Sequence, residues 1–239
     1  MPKPTFHNLS EEKRQRIVDA AVDEFCVVAF EAASVNRIVK AAGIAKGSFY
    51  QYFDDLFDLF RWLLLEHLSA NKMRFLAQQG PGPGGDLFDQ LAWASLGGIK
   101  WALANPRHAA CGRQLWSHSN FGPLAALQRE IDTLGFGSMT HILIDAQNQG
   151  VVRTDIDLDV AASMMLSLRG TLDAAVERRL GWNIMDLVSM HANEVDMELL
   201  DRTVRDVVDL LRRALGTGKG GGELHLDDLP HVRHLRGEE

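Results

Sequence analysis

Residues 44–53 read IAKGSFYQYF, and this stretch decides the fold. A helix this short makes at most about three turns, yet it carries four aromatic rings, a lysine and a glycine. Phe49 and Phe53 stand four apart and share a face with Ile44, so they can pack against Ile38 and a preceding helix. Lys46 and Tyr50, also four apart, point elsewhere with Ser48 and Gln51, and Tyr52 lies at the flank. Just upstream, Val35–Ala42 reads as a second short helix behind Ser34 as N-cap, closed by Gly43 where a tight turn needs φ > 0. Two short helices joined by a glycine turn, the second presenting a cation and unburied rings, form a helix-turn-helix pattern.

Working outward, apolar residues recur at threes and fours and alternation is almost absent, so the fold class is all-α with nine helices. Ser10 caps a first helix to about Phe25, burying Ile17, Ala20, Ala21 and Phe25. Asp54 is the expected cap of a fourth helix reaching Gln79. GPGPGG at 80–85 breaks the chain, and Asp86 restarts a fifth helix to Ala104. Pro106 opens a sixth to about Ser117 and Pro123 a seventh to Gln149, weakened by Gly135 and Gly137. An eighth is expected over Leu158–Leu180 and a ninth over Met197–Leu215. The chain divides into a helix-turn-helix head at 1–53, a helical domain at 54–215, and a glycine-led tail at 216–239 with the composition of a disordered linker.

The formal charge is -7, which by itself argues against a nucleic-acid partner. It is unevenly spread: residues 1–53 hold seven Lys/Arg and six Asp/Glu, the remainder eighteen and twenty-six. Only the head is not repelled by a polyanion. Cys26 and Cys111 have no C-x-x-C spacing and suit free thiols in a reducing compartment, and no apolar run is long enough to span a bilayer, so a cytoplasmic protein without a membrane span is expected. Neither a metalloprotease H-E-x-x-H nor a nucleophile elbow is present, so no catalytic residues, metal or cofactor are expected. His225, His231 and His234 in the tail could hold a metal only weakly.

The residues of the reading helix suit DNA: Lys46 can neutralise phosphate, Gly47 lets backbone approach the duplex, tyrosine hydroxyls can donate to phosphate, and Ser48 and Gln51 can meet base edges. The run RQRIVDAAVDEF, then FEAASVNRIVKAAGIAKGSFYQYF, resembles the N-terminal domain of TetR-family transcriptional regulators over about residues 11–60. The resemblance rests on the spacing from Arg16-Ile17 to Phe25, Ser34-Val35-x-x-Ile38, Ala42-Gly43-Ile44 and Lys46-Gly47-x-x-Tyr50-x-Tyr52-Phe53. It implies DNA contacts from Asn36, Lys46, Gly47, Ser48, Tyr50, Gln51 and Tyr52, with Ser34 and Arg16 facing the backbone. Leu56, after Asp54 and Asp55, stands where the family usually has a phosphate-binding lysine, a departure that removes one expected anchor.

The same resemblance implies a homodimer on a palindromic double-stranded operator, usually a repressor, released when a small hydrophobic effector moves the fourth helix. Its dimer would be a four-helix bundle from the eighth and ninth helices, whose stripes are Leu158, Met165, Leu168, Leu172, Val176 and Leu200, Val204, Val207, Val208, Leu211. Candidate effector contacts are Trp93, Trp101, Trp116, Phe121, Met139, Met165 and Arg169, with Met164, Trp182 and Met185 as further large side chains that serve core or pocket. Arg169 on an apolar helix can pair with Asp173, cross a dimer contact or meet an acidic ligand. Two other readings stay open: a helical small-molecule binder or enzyme without operator binding, and a redox-sensing regulator using Cys111.

Overall fold

The computed structural model describes residues 2–79, 82, 84–116, 122–182 and 194–218, with the backbone alone at 113–116 and 169. Among these residues the chain is helical, with a lone bridge between Val152 and Gly216. The helices are α1 (Pro4–His7), α2 (Glu11–Val27), α3 (Val35–Ala42), α4 (Lys46–Tyr52), α5 (Leu56–Trp62), α6 (Ser69–Gln78), α7 (Leu87–Ala104), α8 (Pro106–Trp116), α9 (Pro123–Asn148), α10 (Leu158–Leu166), α11 (Leu168–Leu180) and α12 (Met197–Leu215). No described helix is long and apolar enough to cross a membrane. The tail histidines lie outside the described residues.

Local chemistry explains most of the boundaries. Ser10 accepts from the Lys13 amide and starts α2; Asp86 and Asp89 form a reciprocal capping box at the start of α7. The expected cap of the fourth helix shifts by one: the Asp55 carboxylate, not Asp54, accepts from the Asp58 amide. That helix also does not run evenly to its end. Between α5 and α6, Leu63–Leu68 winds as a π-helix, and the Ser69 hydroxyl donates to the Leu64 carbonyl at 3.2 Å. Ser167 interrupts the expected eighth helix, with its hydroxyl donating to the Met164 carbonyl at 2.8 Å, so α10 and α11 stand where one helix was expected. Gly135 and Gly137 leave α9 unbroken.

Two apolar clusters organise the molecule. One gathers the head with α5 and the π segment and reaches Trp101, Cys111, Leu124 and Leu127; the other joins α7, the end of α9, and α10–α12. The first cluster runs straight through the expected boundary at Phe53, because Leu59, Phe60 and Trp62 pack with Phe6, Phe25 and Phe53. The stripes expected to face a second chain are used inside this one. Met165, Leu168, Leu172 and Val176 of α10–α11 and Leu200, Val204, Val207, Val208 and Leu211 of α12 are all buried in the second cluster. Leu158 packs half-buried against it.

Candidate nucleic-acid interface

The turn between α3 and α4 is built as expected. Gly43 takes φ 66°, ψ 38°, and the Ile44 amide reaches back to the Val39 carbonyl at 3.0 Å, a Schellman closure that frees the chain to reverse within three residues. A Cβ at 43 would sit in the left-handed region that L-residues avoid. Ser34 occupies the N-cap position of α3 but its side chain makes no cap bond. Its amide donates instead to Glu24 of α2 at 2.7 Å, and Arg37 clamps the same carboxylate through Nε at 2.9 Å to each oxygen. Glu24, largely buried, therefore ties α3 to α2 and places a negative charge at the α3 N-terminus. The reading from sequence missed this clamp, although Glu24 and Arg37 were its visible signals.

On α4 the inward rings are Phe49 and Phe53, both fully buried, as their spacing predicts. Tyr52 departs from its expected flank position: it is 5% exposed, its ring 6.1 Å from Phe6 with the Lys13 ammonium 5.8 Å above it. The physical reason is α1, which supplies a wall the sequence did not advertise. Tyr50 is 45% exposed, and Lys46, Gly47 and Gln51 are exposed, with Ser48 half-buried beside them. Asn36 is exposed on α3, and Arg16 is exposed on α2 in an i,i+4 pair with Glu12 at 3.1 Å that water screens. Gly47 is helical, and a Cβ there would meet no atom within 4 Å. No described residue outside its own helix requires glycine at that place. Leu56, at the site of the missing lysine, is half-buried against the first cluster.

Behind the head, α8 lies on α2: the Cys111 thiol donates to the Val22 carbonyl at 3.4 Å, and Arg107 pairs with Asp23. Between α8 and the π segment, His67 and His108 stack with ring centroids 6.1 Å apart, Trp62 at 5.7 Å from His67 and Trp101 at 6.5 Å from His108. Burial lowers the pKa of both histidines below the usual 6.5. His108 and Arg74 push His67 further down, Arg107 does so for His108, and Asp19 opposes both shifts. Folded imidazoles with depressed pKa favour the neutral form, so this contribution is whole above pH 6.5 and is lost as pH falls through the folded values. Melting temperature is expected to fall between pH 7 and pH 5. His67→Gln with His108→Gln should flatten that limb, and an unchanged slope in the double variant would show that the pair is not its source.

Among the described residues the expected effector contacts are divided between the two clusters. Trp101 is buried in the first cluster, its indole N–H donating to Asn71 at 3.0 Å, while Met165 is buried in the second. Trp93 and Met139 are half-buried. The side chains of Trp116 and Arg169, and all of Phe121 and Met185, lie outside what is described. A cavity of about 450 Å³ lies elsewhere, lined by residues including Phe88, Val151 and Thr217. Its Arg212 is engaged by Asp86 at 2.5 Å and Asp89 at 2.6 Å. Cys111 is fully buried and its pKa is pushed up to about 12, chiefly by burial. A thiol held protonated and out of solvent is a poor oxidant target.

Comparison with known proteins agrees with the head's geometry. Residues 17–61 match the model of bacterial regulatory proteins of the tetR family. The probable acrEF/envCD operon repressor of Escherichia coli K12 is 27% identical over 197 residues, covering 80% of this chain and 85% of the relative. Among solved structures, a TetR family transcriptional regulator from Chloroflexus aurantiacus superposes with TM-score 0.61 at 29% identity, over 90% of this chain and 99% of its own. FadR from Bacillus subtilis, in complex with stearoyl-CoA, shares the fold at TM-score 0.57 and 20% identity, over 82% and 96%. The glycine-turned pair of short helices at residues 35–52 thus lies within the segment that matches the tetR-family model, and similarity to TetR-family regulators, at 27–29% identity, extends along most of the chain.

Proposed function

We propose that the chain is a homodimeric repressor whose α4 enters the major groove of a two-fold-symmetric duplex site and which a small, largely apolar effector releases. The observation that carries the DNA contact is Gly47: it is exposed on the reading helix, a Cβ there would meet nothing within 4 Å beyond its own helix backbone, and glycine is intrinsically unfavourable in a helix. A partner's backbone approaching at that point supplies the reason for it. Around Gly47, Lys46 meets phosphate, Tyr50 donates to the backbone, and Ser48 and Gln51 face base edges, while Asn36 and Arg16 reach the flanks. Tyr52 contributes at most its hydroxyl edge, and Ser34 serves mainly through its amide.

Gly47→Ala is expected to raise folding stability by about 0.5–1 kcal/mol, because helix propensity improves and no clash opposes it. It should also weaken binding to a duplex recovered by the wild-type protein from a randomised pool by about tenfold or more. Urea unfolding and fluorescence anisotropy read the two effects separately. Unchanged anisotropy titrations would mean that the backbone at 47 does not approach DNA.

The effector is taken among α5–α11; of the candidates Trp93, Trp101, Trp116, Phe121, Met139, Met165 and Arg169, Trp101 stands in the first apolar cluster and Met165 in the second, so only some of them line one pocket. FadR from Bacillus subtilis, solved with stearoyl-CoA, carries an acyl thioester on this fold. Release needs unequal effector affinity for two arrangements of the head, a coupling of typically about 1–3 kcal/mol. The α8–α2 contact through Cys111 and Arg107 joins the effector side to the head and is the natural lever. Burial of Cys111 weighs against a redox trigger, and the relatives are regulators rather than enzymes. The protein acts where its duplex is, in the cytoplasm.

A further inference from the structure

The last carbonyls of a helix need partners, and α4 has no glycine cap to supply them. The Phe49 carbonyl is taken by the Phe53 amide at 2.9 Å. The other three are taken by the segment before α2: the Tyr52 carbonyl by the Lys3 amide at 2.8 Å, the Tyr50 carbonyl by Lys3 Nζ at 2.9 Å, and the Gln51 carbonyl by the Thr5 hydroxyl. Phe6, fully buried against Phe53 at 4.9 Å and Trp62 at 5.0 Å, pins that segment in place. A seven-residue helix is unstable alone, so α4 owes its order to this clamp as much as to its own inward rings.

We infer that Lys3 is itself a DNA-backbone contact, an ammonium delivered by the N-terminal segment to the far end of the reading helix. Its Nζ bridges the Tyr50 carbonyl and the Asp54 carboxylate, at 2.9 and 2.8 Å, which leaves one of three N–H groups, and the side chain is 39% exposed. Asp54 and Asp55 would otherwise present two negative charges where α4 meets α5, and Leu56 brings no cation there. The Lys3 ammonium neutralises Asp54, whose carboxyl it holds below the usual range. Seven residues of helix place Lys46 and the Lys3 corner about 10 Å apart, comparable with a major groove about 12 Å wide. The two cations thus bracket the reading helix, one for each wall of the groove. Residue 3 lies outside the segment 17–61 that matches the family model.

The inference rests on the DNA-binding reading above, and the experiment separates the two. Full-length wild type, Lys3→Gln, Lys3→Arg and Thr5→Val are titrated by anisotropy against a duplex recovered by the wild type from a randomised pool, over 50–200 mM salt. Lys3→Gln should weaken binding about three- to tenfold at the lowest salt and reduce the slope of log K against log[salt] by about 0.9 per protomer. Lys3→Arg should restore the slope. Thr5→Val should lower affinity through the loosened helix and leave the slope unchanged, marking Thr5 as a positioning residue. A full wild-type slope in Lys3→Gln would overturn the phosphate contact and leave Lys3 as a helix cap only, whereas a wild-type protein that binds no duplex would overturn the DNA-binding reading itself.

Discussion

Phe6→Ala is expected to cost about 3–5 kcal/mol of folding stability, a loss usually reserved for the centre of a core. Chain ends normally fray, and truncating a side chain six residues from the start would ordinarily do little. Here Phe6 has no exposure and sits within 5.0 Å of two aromatic rings, Phe53 and Trp62, with Tyr52 at 6.1 Å. Removing it opens a cavity between α4 and α5 and unseats the Lys3 and Thr5 caps that ride on α1. Two consequences follow from one substitution: a lower midpoint in urea, and faster amide exchange at Phe53 and along α4 than the midpoint shift alone explains. A destabilisation below about 1 kcal/mol would show that α1 detaches in solution, and that water rather than the N-terminal segment closes the reading helix.

The sequence foresaw the reading head but not what holds it. Helix limits at α3 and α12 are legible because each has its own punctuation: Gly43 after Ala42, and Asp196 before an apolar period of threes and fours. α1 was missed because four residues carry no period, and its stability comes from Phe6 finding α4 and α5. The π segment was equally silent, since Leu63–Leu68 reads the same as ordinary helix at the level of apolar spacing. Tyr52 reads as a flank residue because its burial needs α1 as a wall. The effector contacts are a different case: Trp101 and Met165 are large and apolar as a pocket lining would be, and they sit in separate clusters of the chain. Periodicity says which positions seek cover, and does not say which neighbour provides it.

For the proposed homodimer, Gly170→Arg combined with Ala174→Arg is expected to give a folded monomer with operator affinity reduced at least about a hundredfold. The buried positions Ala161, Met165, Leu168, Leu172 and Val176 keep a spacing of three or four across Ser167, so α10 and α11 hold one phase and their outer positions form one strip. Over residues 160–174 that strip comprises Val160, Ser163, Met164, Ser167, Gly170, Thr171 and Ala174, all exposed and none charged. Val160 is 59% and Met164 38% exposed. Small residues in a row allow close approach of a second helix, and flanking apolar side chains reward it; the outer face of α12, by contrast, carries Glu198, Arg202, Arg205, Asp206 and Asp209, with Leu210 at 60% the apolar exception. We therefore propose the outer strip of α10–α11, with the Leu210 edge of α12, as the subunit contact in place of the inward stripes. Gly170 offers open space to a Cβ, and arginine is a better helix former than glycine, so the variant should keep the helicity of the wild type. Two like charges on each copy of a two-fold contact face two more, and joining two heads on one duplex typically gains 10²–10⁴ in affinity, all of which the monomer forfeits. Sedimentation velocity checks the assembly and anisotropy the binding; a variant that stays dimeric and binds like wild type places the contact on another surface.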